Sequence, residues 1–344
     1  MKILIVKLGS IGDIIHTLPA LAAIRAALPE ADISWAVEKR SAEILRGNTM
    51  IDRLIEVDTR SIRNGRVVEG ILKGIRPQLR ELRRFKFDIA IDFQGLLKSA
   101  AIAKLSGAKI RYGFDKNNLR ERASRIFLNQ SVEIPPETHI IRKNLKLAEL
   151  ALNIQVPTDS FEFPIDSEME HRLESIRLIE AAGQNFAILN PAGGWVTKLW
   201  HPEKYGQLAD MLWEANGLTS IVATGPGESE LSDAVIGGSR SGKILAAQPS
   251  LKGFFELVGS AKIYVGGDTG PTHIAIAAGA PVVGIFGPTE WWRNGSTVAG
   301  DICVERLDIG CRVDCHRRTC SNWICMDISV ETVFKAVQKR LGNA

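Results

Sequence analysis

The chain has 344 residues, 45% hydrophobic and 24% charged, with a formal net charge of +4. That balance excludes disordered and fibrous classes and suits two domains of similar size. No uninterrupted apolar run of about 18 residues occurs, so no transmembrane helix is expected, and the start lacks the basic residues and cleavage site of a secretion signal. A cytoplasmic location is the expectation.

The first predicted strand is "KILIV", followed at residues 7 to 21 by "KLGSIGDIIHTLPAL". Gly9, Ser10 and Gly12 lie where a strand turns into a helix, and Asp13 stands at the mouth of that helix. Two readings are open. Asp13 is a helix cap, because negative charge there is electrostatically favourable. Alternatively, the glycines let a ligand approach the backbone and Asp13 faces that ligand. Pro19 removes a backbone N–H, so either a helix from near Gly12 bends there, which is the favoured reading, or the regular helix starts near Pro19.

Further buried strands are predicted at "ISWAV", "LIEV" and "DIAIDF" in the first half. The second half offers "FAILN", "TSIVAT", "KIYVGG" and "PVVGIFG". Continuous Val, Ile and Ala runs separated by helical periods indicate parallel sheets covered on both faces. The proline-bearing stretch "LNIQVPTDSFEFPID", residues 152 to 166, reads as a linker between two doubly wound domains. Such domains bind ligands outside the carboxyl ends of their strands.

Between Arg60 and Lys86 the basic residues Arg63, Arg66, Lys73, Arg76, Arg80, Arg83 and Arg84 face only Glu69 and Glu81. A solvated helical face explains such a run, and an anionic lipid or phosphorylated glycan would also fit it. No nucleic-acid motif accompanies it, so nucleic acid is not an expected partner.

Three loops of the second half carry candidate chemistry. In "NPAGGWVTKLWHPEKYGQLADML", Gly193, Gly194 and Lys198 make either a diphosphate cradle or a surface turn. In "ATGPGESE", Glu228 is either a ribose acceptor or a solvated glutamate. In "YVGGDTGPTHIAIAAGAPVVGIFGPT", Asp268, Thr269, Gly270 and His273 open a helix. Asp268 is a candidate cap there, and anion binding at the helix start is the favoured reading. No G-x-G-x-x-G with an acidic partner follows the first strand, which argues against a dinucleotide dehydrogenase. No D-x-D occurs either, so the sequence offers no carboxylate pair to hold a divalent cation on a nucleotide diphosphate; no metal among the donor and acceptor residues and no cofactor are expected. Four of the five cysteines, Cys311, Cys315, Cys320 and Cys325, crowd into "CRVDCHRRTCSNWIC". A structural or redox-sensitive cluster, a zinc or iron–sulfur site, and chance all remain open there.

Together, "KLGSIGDIIHTLPAL", "DFQGLLKSA", "KLWHPEKYGQLADML" and "GGDTGPTHIAIAAGAPVVGIFGPT" resemble the motifs of the glycosyltransferase family 9 heptosyltransferases, in collinear order over nearly the whole chain. The resemblance implies an α/β GT-B fold, two Rossmann-like doubly wound domains facing a central cleft. It places an acceptor domain at 1–160, a nucleotide-sugar domain at 167–327, and a last helix at 328–344 packing back on the first domain. It further implies an inverting, metal-independent transfer of a heptose from ADP-heptose to a lipid A-linked acceptor of the lipopolysaccharide inner core. The expected partners are therefore an ADP-activated sugar and an anionic glycolipid, with peripheral contact at the inner membrane surface and a monomeric enzyme. By motif, Asp13 matches the family's catalytic base. Gly9, Ser10, Gly193, Gly194, Lys198, Glu228, Asp268, Thr269, Gly270 and His273 match donor-side positions, and Arg60, Arg63 and Arg120 match acceptor-side ones. Some relatives carry threonines where this chain has Gly193 and Gly194, which leaves more of the phosphate contact to backbone amides.

Overall fold

A computed structural model describes residues 1–58, 82–311, 315 and 317–342. The chain divides into two compact units, Met1–Asp166 and Ser167–Ala344. In the first, six strands form one parallel sheet: β1 (Lys2–Val6), β2 (Asp32–Glu38), β3 (Arg53–Val57), β4 (Ile89–Asp92), β5 (Ile110–Phe114) and β6 (Gln130–Val132). Their spatial order is β3-β2-β1-β4-β5-β6. The second unit repeats the pattern with β7 (Phe186–Asn190), β8 (Thr219–Ala223), β9 (Ile244–Ala247), β10 (Ile263–Gly267), β11 (Val282–Phe286) and β12 (Ile302–Glu305), again all parallel. Read from its other edge, the order β9-β8-β7-β10-β11-β12 is the same doubly wound sequence. In each sheet the chain reverses direction of growth between the first and fourth strands, and the crevice beyond their carboxyl ends is where such sheets bind ligands.

The central strands are apolar on both faces because helices cover both. In β1, Ile3 to Val6 are fully buried, and the whole of β7 is buried. Each unit has its own core. Leu4, Val6, Leu8, Ala36, Phe87 and Ala90 pack together in the first, and Leu189, Trp200, Leu208, Val265, Ile285 and Val333 in the second.

Two expectations are corrected here. The first helical stretch does not bend at Pro19; it breaks into Ile11–Ile15 and Leu18–Ala27. Pro19 falls in the first turn of the second helix, where a missing N–H costs nothing, and Thr17 Oγ1 closes the break by donating to Asp13 O at 2.9 Å. The last helix, Val330–Leu341, is expected from the resemblance to pack back on the first domain. Its buried residues Val330, Val333 and Val337 belong to the second unit's core, because that apolar stripe packs against the sheet and Trp200 lies in the same cluster.

Candidate functional site

In the first unit the loop leaving β1 is held from below. Gln94 Oε1, just beyond β4, accepts the N–H groups of Leu8 (3.1 Å) and Gly9 (3.3 Å). The side chain of Lys7 is buried under the loop and its Nζ donates to Phe93 O at 2.9 Å. The same ammonium lies 3.4 Å from Asp13 Oδ1. The other Asp13 oxygen, Oδ2, accepts from Ser10 N at 3.0 Å and lies 3.4 Å from Ser10 Oγ. Capping is thus real but occupies one oxygen only. Asp13 remains 38% exposed, against 3% for its buried partner Lys7. Gly9 has φ +149°, and a β-carbon there would stand 3.0 Å from Ser41 Oγ. Beneath Gln94, Asp92 is fully buried and accepts from Gln94 N, Gly95 N and Ser99 Oγ. Burial pushes its carboxyl up to about 6, against those hydrogen bonds and the charge of Lys7.

The second unit builds a tighter cluster at the equivalent crossover, between the loops leaving β7 and β10. Asp268 is its centre. Its Oδ2 accepts from Lys198 Nζ at 2.5 Å, and its Oδ1 accepts from Asn294 Nδ2 at 2.7 Å and lies 3.4 Å from His273 Nε2. Burial alone would push this carboxyl up, but the hydrogen bond from His273 and the charge of Lys198 outweigh it and hold the group well below the usual carboxylate range. Asp268 is therefore a permanent anion that fixes cations and donors in place, and it does not shuttle protons near neutral pH. It does not cap the following helix, Gly270–Ala277; Thr269 takes that position. Thr269 Oγ1 lies 3.5 Å from Asn190 Oδ1 at the end of β7.

Lys198 also donates to Asp268 O at 3.2 Å and lies 4.4 Å from the centre of the Trp195 ring. Two of its three N–H donors are committed among the described residues, leaving one for a ligand. Gly194 is exposed with open space around it, whereas a β-carbon on Gly193 would meet Leu199 Cδ2 at 2.8 Å. Gly193 therefore has a packing reason and Gly194 has none. Neither has a positive φ.

Glu228 has local work to do. Its Oε2 accepts from Gly225 N at 2.7 Å, closing the turn after β8. Arg120 is exposed in the connection leaving β5. Arg60, Arg63 and most of the basic run lie outside the described residues. Among the described residues, no helix is long and apolar enough to cross a membrane, and no three His, Cys, Asp or Glu side chains stand ready to hold a metal ion.

Sequence reasoning missed Lys7, Gln94, Trp195 and Asn294. Three of them had a readable signal: Lys7 opens the glycine-rich stretch, Gln94 sits in "DFQGLLKSA", and Trp195 follows Gly194. Asn294 comes from the short helix Trp291–Asn294, beyond β11, and nothing local marks it.

The description "Glycosyltransferase family 9 (heptosyltransferase)" matches residues 75–323. Lipopolysaccharide heptosyltransferase 1 of Pseudomonas aeruginosa is 29% identical over 331 residues, covering 93% of this chain and 88% of the relative. The solved structure of the E. coli heptosyltransferase WaaC with ADP superposes with a TM-score of 0.80 at 25% identity, covering 99% of this chain and 100% of that one. The same E. coli enzyme with ADP-2-deoxy-2-fluoro heptose gives a TM-score of 0.74 at 26% identity, covering 88% and 93%. With two parallel Rossmann-like units of the GT-B class and these matches across its length, the chain belongs to glycosyltransferase family 9, the heptosyltransferases.

Proposed function

We propose that this chain transfers a heptose from ADP-heptose to the inner core of lipopolysaccharide, with inversion and without a metal ion at the reacting centre. The observation that carries the reading is the Asp268 cluster, which presents Lys198 and a helix start at the crossover of the second sheet. A helix N-terminus and an ammonium are the groups that a departing diphosphate needs when no cation shares its charge. The E. coli relative seen with ADP and with a fluorinated ADP-heptose supports the same donor here.

In this mechanism Asp13 takes the proton of the acceptor hydroxyl while that oxygen attacks the anomeric carbon. The bond from the anomeric carbon to the diphosphate oxygen breaks, and ADP leaves with the electron pair. Lys198, the amides of Thr269 and Gly270, and the Gly193-Gly194 turn meet the charge that develops on ADP. His273 and Asn294 keep Asp268, and through it Lys198, in position. Gly9 and Ser10 let the substrates approach the loop, and Glu228 offers its remaining oxygen to the ribose. Arg120, with Arg60 and Arg63, recognises the anionic acceptor at the inner face of the membrane.

The test is ADP release from ADP-heptose with no magnesium or manganese added, with and without a lipid A-linked core acceptor. Acceptor-dependent release, and a product whose anomeric configuration is opposite to the donor's, is the expected result. Binding of ADP-heptose without transfer to any core acceptor would reduce the protein to a nucleotide-sugar binder. Turnover of another nucleotide sugar in its place would reassign the donor.

A further inference from the structure

Four of the five cysteines converge on one place that the transfer chemistry does not use. Cys311, Cys315, Cys320 and Cys325 line one small open cavity of about 20 Å³, with Thr197, Pro288 and Trp323 around them. All four are free thiols. The four soft ligands come from a span of 15 residues, counting Cys311 to Cys325 in the sequence.

Three further observations concern the loop that carries them. The Trp323 N–H is directed at Cys320 Sγ, 3.4 Å away. A backbone N–H on sulfur stabilises the thiolate, the form that binds metal. The loop is also built to bring Cys325 inward: a β-carbon on Gly287 would collide with Met326 and come within 3.2 Å of Cys325 Sγ. Finally, the loop is tied to the donor side of the unit. Thr197 Oγ1 donates to Arg317 O at 2.6 Å, and Trp323 Nε1 donates to Thr197 O at 3.1 Å. Thr197 is the residue before Lys198, so whatever fixes the loop also fixes that turn.

We propose that Cys311, Cys315, Cys320 and Cys325 bind one thiophilic divalent cation, zinc, as a closed four-thiolate site that anchors the loop beneath the Thr197–Lys198 turn. Four-coordinate tetrahedral zinc with sulfur at about 2.3 Å is the stable arrangement for such a set. On binding, the thiols release their protons to solvent and the metal gains four sulfur bonds, with no change of oxidation state. The side chains are not gathered at ligand geometry in the described structure, and Cys311 is exposed. The ion therefore draws the loop together as it binds, and its binding energy becomes local folding energy. The site is structural and stands apart from the reacting atoms, so it leaves the transfer step free of metal.

The test uses the full chain, expressed with zinc in the medium and purified under reducing conditions. The expected result is about one equivalent of zinc by elemental analysis. After stripping at low pH and refolding, titration with cobalt should give the ligand-field bands of a tetrahedral tetrathiolate centre, saturating at about one equivalent. Cys315→Ser and Cys320→Ser should each abolish those bands and bring zinc below half an equivalent. Because a variant can fail by unfolding, the cobalt titration of the unaltered chain stands by itself as a readout. Iron at one equivalent in place of zinc upholds the four-thiolate site and corrects the metal. Less than about a tenth of an equivalent of any metal, with octahedral cobalt bands in the unaltered chain, overturns the proposal, as does full zinc retention in Cys320→Ser.

Discussion

Lys198 and Asp268 form an ion pair whose carboxylate is 4% exposed and whose ammonium is 14% exposed. The lysine that the sequence offers as a free cation for a diphosphate is thus already balanced, and its direction is set by its partner. Removing one member of a buried pair leaves the other uncompensated, at a cost of about 3–5 kcal/mol. Lys198→Met is therefore expected to lose both ADP affinity and stability, with about 3 kcal/mol lost in urea denaturation. Adding Asp268→Asn should recover most of the stability and none of the affinity. Equal stability of Lys198→Met and the unaltered chain would show that His273 and Asn294 alone sustain Asp268.

Asp13 divides its oxygens between the Ser10 amide and Lys7. The asparagine oxygen can still accept from the Ser10 N–H, but the buried Lys7 ammonium loses the charge 3.4 Å away, so Asp13→Asn should lose some stability and bind ADP normally. General-base catalysis contributes about 10²–10⁴-fold, and kcat should fall by that amount. Turnover at the original rate would make Asp13 a cap and a partner for Lys7, and nothing more.

Asp92 supplies a pH signature. Burial pushes its carboxyl from 3.8 to about 6 in the folded protein, so the native state holds this proton more tightly than the unfolded chain. The contribution is full below about pH 4 and is lost as pH rises through about 6, a span corresponding to about 3 kcal/mol. Asparagine fits the same contacts, since its amide can donate to Ser99 Oγ while Ser99 donates to Leu96 O. Relative to the unaltered chain, Asp92→Asn should therefore be more stable at pH 8 than at pH 4, by about 3 kcal/mol. Parallel stability curves across that range would show that Asp92 is already ionised in the fold.

Gly194 separates packing from ligand approach. Nothing lies within 4 Å of where its β-carbon would go, so Gly194→Ala should leave Tm unchanged. If the donor diphosphate passes over this turn, KM for the nucleotide sugar should rise by about 3- to 10-fold, because small displacements of a bound reactant are costly. An unaltered KM would place the diphosphate elsewhere.

The sequence revealed the architecture because its central strands are buried on both faces. Ile3 to Val6 and Phe186 to Asn190 read as continuous apolar runs. Of the edge strands β3 stood out as "LIEV", but β6 and β9 did not. β6 is three residues long, and β9 is only partly covered. The helix and glycine punctuation located Asp13, Lys198 and Asp268, but could not show how they pair. Lys198 and Asp268 are 70 residues apart, and Asn294 reaches Asp268 from beyond another strand. Pairings of that range are decided by strand order, which single-sequence periodicity does not encode.

The crossover that brings β7 beside β10 also sets when the Lys198–Asp268 pair can exist. On the ribosome β7 emerges first, and its neighbour follows about 70 residues later; at about 5–20 residues per second, Lys198 waits several seconds for Asp268. The first unit repeats the delay, since Lys7 is completed by Phe93, 86 residues downstream. Each crossover contact thus closes only once the fourth strand of its own unit has been made. A chain released before Gly267 carries Lys198 without its counter-charge, so incomplete products lack the constellation altogether.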